Sequence, residues 1–202
     1  MNYALEYHLS QSAFLISTPR KKQLKHSLIT IHNGLALIRL GKYEYVLEQD
    51  DSFWLPFDCL SAMTYLPDTQ ASVVEFSIRL TDSFPLQSGF VELPDVTRSI
   101  INKLALAPVP DSQLKTFLDA IRYEATELKP ELILGHLSRL FSDWTAENSG
   151  SLSKEMHLAL LVREAQKQRL SGIKPSTIID SLFQGSESDY LCLCQLILGK
   201  VL

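Results

Sequence analysis

The chain has 202 residues, 19 Lys and Arg against 23 Asp and Glu for a net charge of −4, 46% hydrophobic and 21% charged residues. That is enough for one large or two small globular domains with a core of their own, and the acidic balance excludes a general attraction to polyanions. No apolar run approaches the ~18 residues of a membrane span, and three cysteines, Cys59, Cys192 and Cys194, make no disulfide framework, which points to a reducing cytoplasm.

Residues 1 to 17 hold two short apolar segments, the second being Ala13-Phe-Leu-Ile16, that read as first strands of a sheet. Met1-Asn-Tyr-Ala-Leu-Glu-Tyr7 lacks the basic start and apolar core of a signal peptide. Arg20-Lys-Lys-Gln-Leu-Lys-His26 is the one dense positive cluster; it reads as a solvated loop, with an anion or DNA-backbone contact as the alternative. Ser27–His32 is a β-rich strand, and Asn33-Gly34 after it is a strong hairpin signal. Leu35–Leu40 follows, then a turn at Gly41-Lys42. Tyr43, Tyr45 and Leu47 alternate with Glu44, Val46 and Glu48, the period of two of a strand with one buried face. Gln49-Asp50-Asp51 breaks the run, because Asp side chains compete for local backbone bonds. Ser52–Leu55 is a short strand closed by Pro56, Tyr65 leads into a turn at Pro67-Asp68, and Ala71–Phe76 is one more strand. Strands this short, at such regular spacing, predict a small β-sandwich or barrel.

Near Leu93-Pro94-Asp95 the pattern turns helical. Asp95 is expected to cap a helix to about Ala105, ended by Pro108 and Pro110. Asp111 is expected to cap a second, with Leu114, Phe117, Leu118 and Ile121 on one face. A third is expected from Pro130 through Leu132, Ile133, Leu137, Leu140, Phe141 and Trp144 to Asn148-Ser-Gly150. A fourth runs from Ser153 to Leu170 before Gly172, a fifth from Lys174-Pro175-Ser176 to Phe183, and a sixth from Ser186 to about Leu198. The expected class is α+β: a β domain over 1–93 and an all-helical half over 94–202.

The residues hold no catalytic constellation. His8, His26 and His32 form no His-x-His pair, Asp58 and Cys59 lack the partner cluster of a metal site, and no nucleophile motif, phosphate loop or dinucleotide fingerprint is present. Cys192 and Cys194 point to different sides of a helix and read as core. The expectation is no enzyme, no metal and no cofactor. A small β-barrel can enclose one small ligand, and the lining candidates are Ile38, Tyr43, Tyr45, Trp54, Phe57, Met63 and Phe76; alternatively these side chains simply fill the barrel.

Two resemblances add to this reading. Gly41-Lys-Tyr-Glu-Tyr-Val-Leu47, Gln49-Asp-Asp-Ser-Phe-Trp-Leu-Pro56 and Val73-Val-Glu-Phe76 resemble the cupin-type sensor domain of AraC-family transcription regulators, over roughly residues 5 to 90. In the helical half, Gly135-His-Leu-Ser-Arg-Leu-Phe141 resembles that family's first recognition helix. Leu161–Gly172 is similar to its linker helix, Ser176–Leu182 to a positioning helix and Tyr190–Gly199 to a second recognition helix. The resemblance implies a cytoplasmic, homodimeric regulator that couples a small-molecule effector to promoter DNA. The implied DNA contacts are Arg139, Lys167, Arg169, Lys174, Ser176 and Ser188.

The chain departs from the pattern in two places. Nothing upstream of Gly135 supplies the first motif's positioning helix, and Asp189–Leu198 contains no Lys or Arg, the residues that read bases and phosphates. From Asp95 onward twelve basic residues face thirteen acidic ones, whereas a duplex reader carries a basic face. A second reading is therefore a cupin-like binding or dimerisation module that has lost DNA and acts through protein partners; a third is an atypical cupin enzyme.

Overall fold

Leu5–Ser12 (β1), Ile16–Ser17 (β2), Lys21–Lys22 (β3), His26–Asn33 (β4), Ala36–Leu40 (β5), Tyr43–Leu47 (β6), Ser52–Leu55 (β7), Leu60–Tyr65 (β8), Thr69–Phe76 (β9) and Gly89–Phe90 (β10) precede every helix in the computed structural model. The helices are Asp95–Leu106 (α1), Asp111–Ala125 (α2), His136–Ser142 (α3), Lys154–Leu170 (α4), Pro175–Leu182 (α5) and Glu187–Leu198 (α6). The structure describes residues 4–148 and 150–202; Met1, Asn2, Tyr3 and Ser149, which the signal-peptide and third-helix readings include, lie outside the described residues. The α+β class expected from the sequence, a β-sandwich followed by helices, is the architecture observed. Among the described residues no helix is long and apolar enough to cross a membrane.

All strand pairs are antiparallel. Sheet A has the order β1-β9-β4-β7-β10, and sheet B the order β2-β8-β5-β6 with β3 also on β8. Ile29, Ile31, Phe53, Leu55 and Ala71 of sheet A meet Ala36, Ile38, Tyr45, Leu47 and Met63 of sheet B in the space between them. The outer face of sheet A (Leu28, Trp54, Val74, Phe76) is covered by Ile101 and Leu104 of α1 and Leu118, Ile121 and Ala125 of α2. The outer face of sheet B (Leu37, Val46) lies under Phe141, Leu160, Val162, Ala165, Tyr190 and Ile197 of α3, α4 and α6. The helical half thus divides, two helices on one side of the sandwich and four on the other.

Four expectations change. The Asn33-Gly34 turn closes no hairpin: β4 belongs to sheet A and β5 to sheet B, so the turn carries the chain across the sandwich. Gly34 has φ +79°, and a Cβ there would lie 2.8 Å from the Thr69 Cα; this close approach, rather than a two-residue loop, is what the glycine allows. The hairpin is made instead by Gly41-Lys42, between Leu40 and Tyr43 of β5 and β6. Second, Leu60–Tyr65, unassigned from sequence, is the central strand β8. Third, the segment before α3 is extended: Phe90 and Glu131 exchange backbone bonds of 2.8 and 2.9 Å, leaving Leu132 and Ile133 exposed. Gly89 makes that approach possible, since a Cβ would stand 2.5 Å from the Glu131 backbone. Fourth, β6 has no solvent face. Tyr45 and Leu47 point into the sandwich, while Glu44 and Val46 are buried under the helices.

Two of the four Lys and Arg side chains in the basic cluster are held in ion pairs. Lys22 meets Asp58 at 2.8 Å, and Lys25 lies 2.8 and 2.7 Å from Glu6 and Glu75. His26, at its end, is set among Trp54 (stacked, 5.7 Å), Phe84 (5.1 Å) and Phe57, whose N–H donates to His26 Nδ1 at 3.2 Å. Burial lowers the pKa of His26, and of His32, where Asp50 opposes the shift. A folded-state value below the unfolded ~6.5 means that the unfolded chain takes up the proton first as pH falls. Stability is therefore expected to hold above about pH 6.5 and to decline as pH is lowered through the folded-state values. Urea unfolding across that range checks this, and His26→Phe should flatten the decline.

Candidate functional site

The seven expected lining residues do not converge. Ile38, Tyr45 and Met63 fill the space between the sheets, Trp54 and Phe76 are fully buried on the other side of sheet A beneath α1 and α2, and Tyr43 and Phe57 are exposed. The divergence is a matter of strand parity: successive residues face opposite sides, so neighbours such as Phe53 and Trp54 belong to different cores.

A cleft of about 640 Å³ opens instead between the outer face of sheet B and α4. It is framed by Thr18 and Arg20 before β3, Arg39 and Glu44 on β5 and β6, and Arg163 and Lys167 on α4. Glu44 and Arg163 form its wall as a two-pronged pair, Nη1 to Oε1 at 2.9 Å and Nη2 to Oε2 at 3.0 Å, with side chains 11% and 17% exposed. Such fork-to-fork geometry fixes orientation as well as charge. Lys167 is held by Glu164 at 3.1 Å. Arg20 and Arg39 have no ion-pair partner among the described residues, so the cleft keeps two uncompensated guanidinium groups.

The same edge of the sandwich is bolted to α3. β6 is the edge strand of sheet B, and its outward N–H groups would otherwise be orphaned. Glu44 N–H donates to Ser142 Oγ at 2.9 Å and Val46 N–H to Ser138 Oγ at 3.0 Å. Two serines four apart on a helix, about 6 Å, match two residues of strand, about 6.6 Å. The helix that resembles a first recognition helix is therefore committed on this face to the β edge, with Phe141 buried beside it. Glu44, Arg163, Ser138 and Ser142 were missed from sequence, where a Glu alternating with tyrosines looks solvated.

The six expected DNA contacts are placed as follows. Arg139 is exposed on α3. Lys167 is exposed near the end of α4, and Arg169 is half-buried there, with Nη1 donating to the Ile173 carbonyl at 3.0 Å. Lys174 and Ser176 are exposed at the start of α5, and Ser188 is exposed on α6, 3.1 Å from Ser186 Oγ. Lys167, Arg169, Lys174 and Ser176 thus occupy one corner, the turn from α4 to α5; Arg139 and Ser188 lie on other helices.

Neither possible metal ligand is poised for a metal. Asp58 is paired with Lys22, and Cys59 Sγ lies 3.2 Å from Ser88 Oγ. Glu6, His8 and Glu75 lie together, but the Lys25 ammonium already bridges the two carboxylates. Of the α6 cysteines only Cys194 is core, where burial pushes its thiol up to about 11; Cys192 is exposed.

No protein-family model and no curated protein matches the chain. Among solved structures, ToxT from Vibrio cholerae O395 is 12% identical, with 97% of this chain and 94% of that chain covered and a TM-score of 0.42. The same protein bound to (E)-4-(8-methylnaphthalen-1-yl)but-3-enoic acid is 13% identical, with 96% and 95% covered and a TM-score of 0.41. A cupin superfamily protein from Desulfitobacterium hafniense DCB-2 is 16% identical, with 38% of this chain and 71% of that chain covered and a TM-score of 0.35.

Proposed function

We propose that the protein is an AraC-type transcription regulator of the cytoplasm, in which the β unit senses a small anionic effector and the helices on sheet B carry the response to promoter DNA. The observation that carries this reading is the Glu44–Arg163 pair. It belongs at once to the cleft wall and to α4, and α4 leads directly into the basic corner at Lys167, Arg169 and Lys174. An anion drawn to Arg20 and Arg39 competes with Glu44 for Arg163. A displaced Arg163 lets α4 move relative to the sheet, which is a differential contact of the kind any ligand-driven shift requires. Dimerisation, which the family resemblance implies, would pair two such corners on one site.

Fluorescence anisotropy with DNA from upstream of the protein's own gene tests this. Three phosphate contacts at the corner give a log–log salt slope of about −3, and Lys174→Ala should reduce it by about 1 without changing base preference. Absence of binding at about 50 mM salt, or an unchanged slope in Lys174→Ala, overturns the reading. One observation favours a second reading, a module that works through protein partners: α6, which stands where a base-reading helix is expected, has no Lys or Arg over Glu187–Leu198.

A further inference from the structure

A second concavity, of about 520 Å³, lies at the end of the sandwich away from any basic residue of the corner, between α4, α6 and the turns that join the sheets. Its walls are Leu35 and Leu66 from the turns, Met156 from the first turn of α4, and Leu193 and Leu196 from α6. Leu196, in the last turn of α6, is 69% exposed. The charged side chains on its rim are both carboxylates, Asp68 and Glu155. The charges of α6, Glu187 and Asp189, are acidic too; Lys154 and Lys200 are chain neighbours of the groove and do not line it. Asp68 makes no side-chain ion pair or hydrogen bond among the described residues, only its carbonyl accepting from Asn33 at 2.9 Å.

We infer that this groove docks a cationic amphipathic helix of a partner protein. An apolar trough walled by two helices takes the apolar face of a third helix through anchors spaced three and four apart. The carboxylates on its rim select a helix flanked by Lys or Arg and disfavour an acidic one. DNA is disfavoured by the absence of basic donors along α6. A second copy of this chain is disfavoured because a two-fold contact through this face sets Asp68 and Glu155 against the same carboxylates of the other copy. The α6 wall of the groove is held by Tyr190, Cys194 and Ile197 in the core, and by Leu15 N–H donating to the Ile197 carbonyl at 2.7 Å.

The test uses the full chain and two fluorescein-labelled amphipathic peptides of about 14 residues, roughly four helical turns, one of Leu and Lys and one of Leu and Glu. The Leu–Lys peptide should bind and the Leu–Glu peptide should not. Leu196→Asp should weaken binding by about tenfold or more, although it adds a negative charge that would strengthen a merely electrostatic association. Asp68→Asn, which suits the left-handed backbone there (φ +60°), should weaken binding a few-fold and flatten its salt dependence. Equal binding of both peptides, no binding, or indifference to Leu196→Asp in a variant with an unchanged thermal melt overturns the inference. So does a concentration-dependent dimer in sedimentation that Leu196→Asp dissolves, since a second copy would then be the occupant. None of these readouts depends on DNA, so failure here is distinguishable from failure of the regulator reading.

Discussion

Arg163→Met will lower stability by about 3 kcal/mol, a fall in Tm of roughly 6–12 °C for a chain of this size, while Glu44→Leu with Arg163→Met will recover most of it. The asymmetry follows from where the charges sit. With Arg163 gone, Glu44 keeps its carboxylate under α3 and α4, 11% exposed, with no cation to repay the loss of water. With both gone, two apolar side chains occupy a seam already lined by Val46 and Val162, and the desolvation cost disappears. The small exposure of the pair places the single-variant effect at the lower end of the range for buried pairs. Denaturant unfolding of the two singles and the double gives the coupling directly. If both singles melt within a degree or so of the parent, the pair is a surface contact and cannot link the cleft to α4. The double variant also separates stability from signalling: it should fold well and bind an anion at Arg20 and Arg39, yet pass nothing to the α4–α5 corner.

The order of strands then helices, and the starts of α1, α2, α4, α5 and α6, were legible because their signals are local, although Pro94 and Pro110 take the cap positions expected of Asp95 and Asp111. Ser153 and Ser186 cap α4 and α6 through the Met156 and Asp189 N–H groups, and Gly199 ends α6 at φ +69°. What was not legible depends on partners distant in the chain. Asn33-Gly34 has the chemistry of a hairpin turn, but whether the next strand pairs with β4 or crosses to the other sheet is decided by β7 and β9, which claim both edges of β4. Leu132 and Ile133 follow a helical spacing, yet reciprocal bonds from Glu131 to Phe90 hold the backbone extended. The candidate site was the least legible part. Alternation along β6 assigns Glu44 to solvent, and only a helix arriving 119 residues later, with Arg163 on the right face, turns that position into a buried anion. The aromatic residues chosen as pocket lining are indeed mostly inside. Parity sends them to separate cores, so their common chemistry never becomes a common site.

Trp54→Ala should cost about 3–5 kcal/mol, the range for emptying a large buried aromatic position. The indole is fully buried, with ring centroids of Phe76 and Phe84 at 5.5 and 5.8 Å and the His26 ring stacked at 5.7 Å. Its Nε1–H donates to the Pro85 carbonyl at 3.0 Å, so the side chain also ties the segment after β9 to sheet A, while the Arg122–Asp82 ion pair at 2.6 Å ties the same segment to α2. Trp54→Phe keeps most of the packing and loses the hydrogen bond, and should cost about 1–2 kcal/mol. The ratio of the two separates packing from tethering. The alanine variant also bears on the pH behaviour. The His26 pKa is low because the ring is shielded from water, and Trp54 is the face of that shield. Opening the site hydrates the imidazolium and returns its pKa toward the unfolded value, so the decline in stability below about pH 6.5 should be shallower in Trp54→Ala than in the parent. An unchanged pH slope would mean that Phe57 and Phe84 shield the ring without it, and that Trp54 serves only to fill the core under α1 and α2.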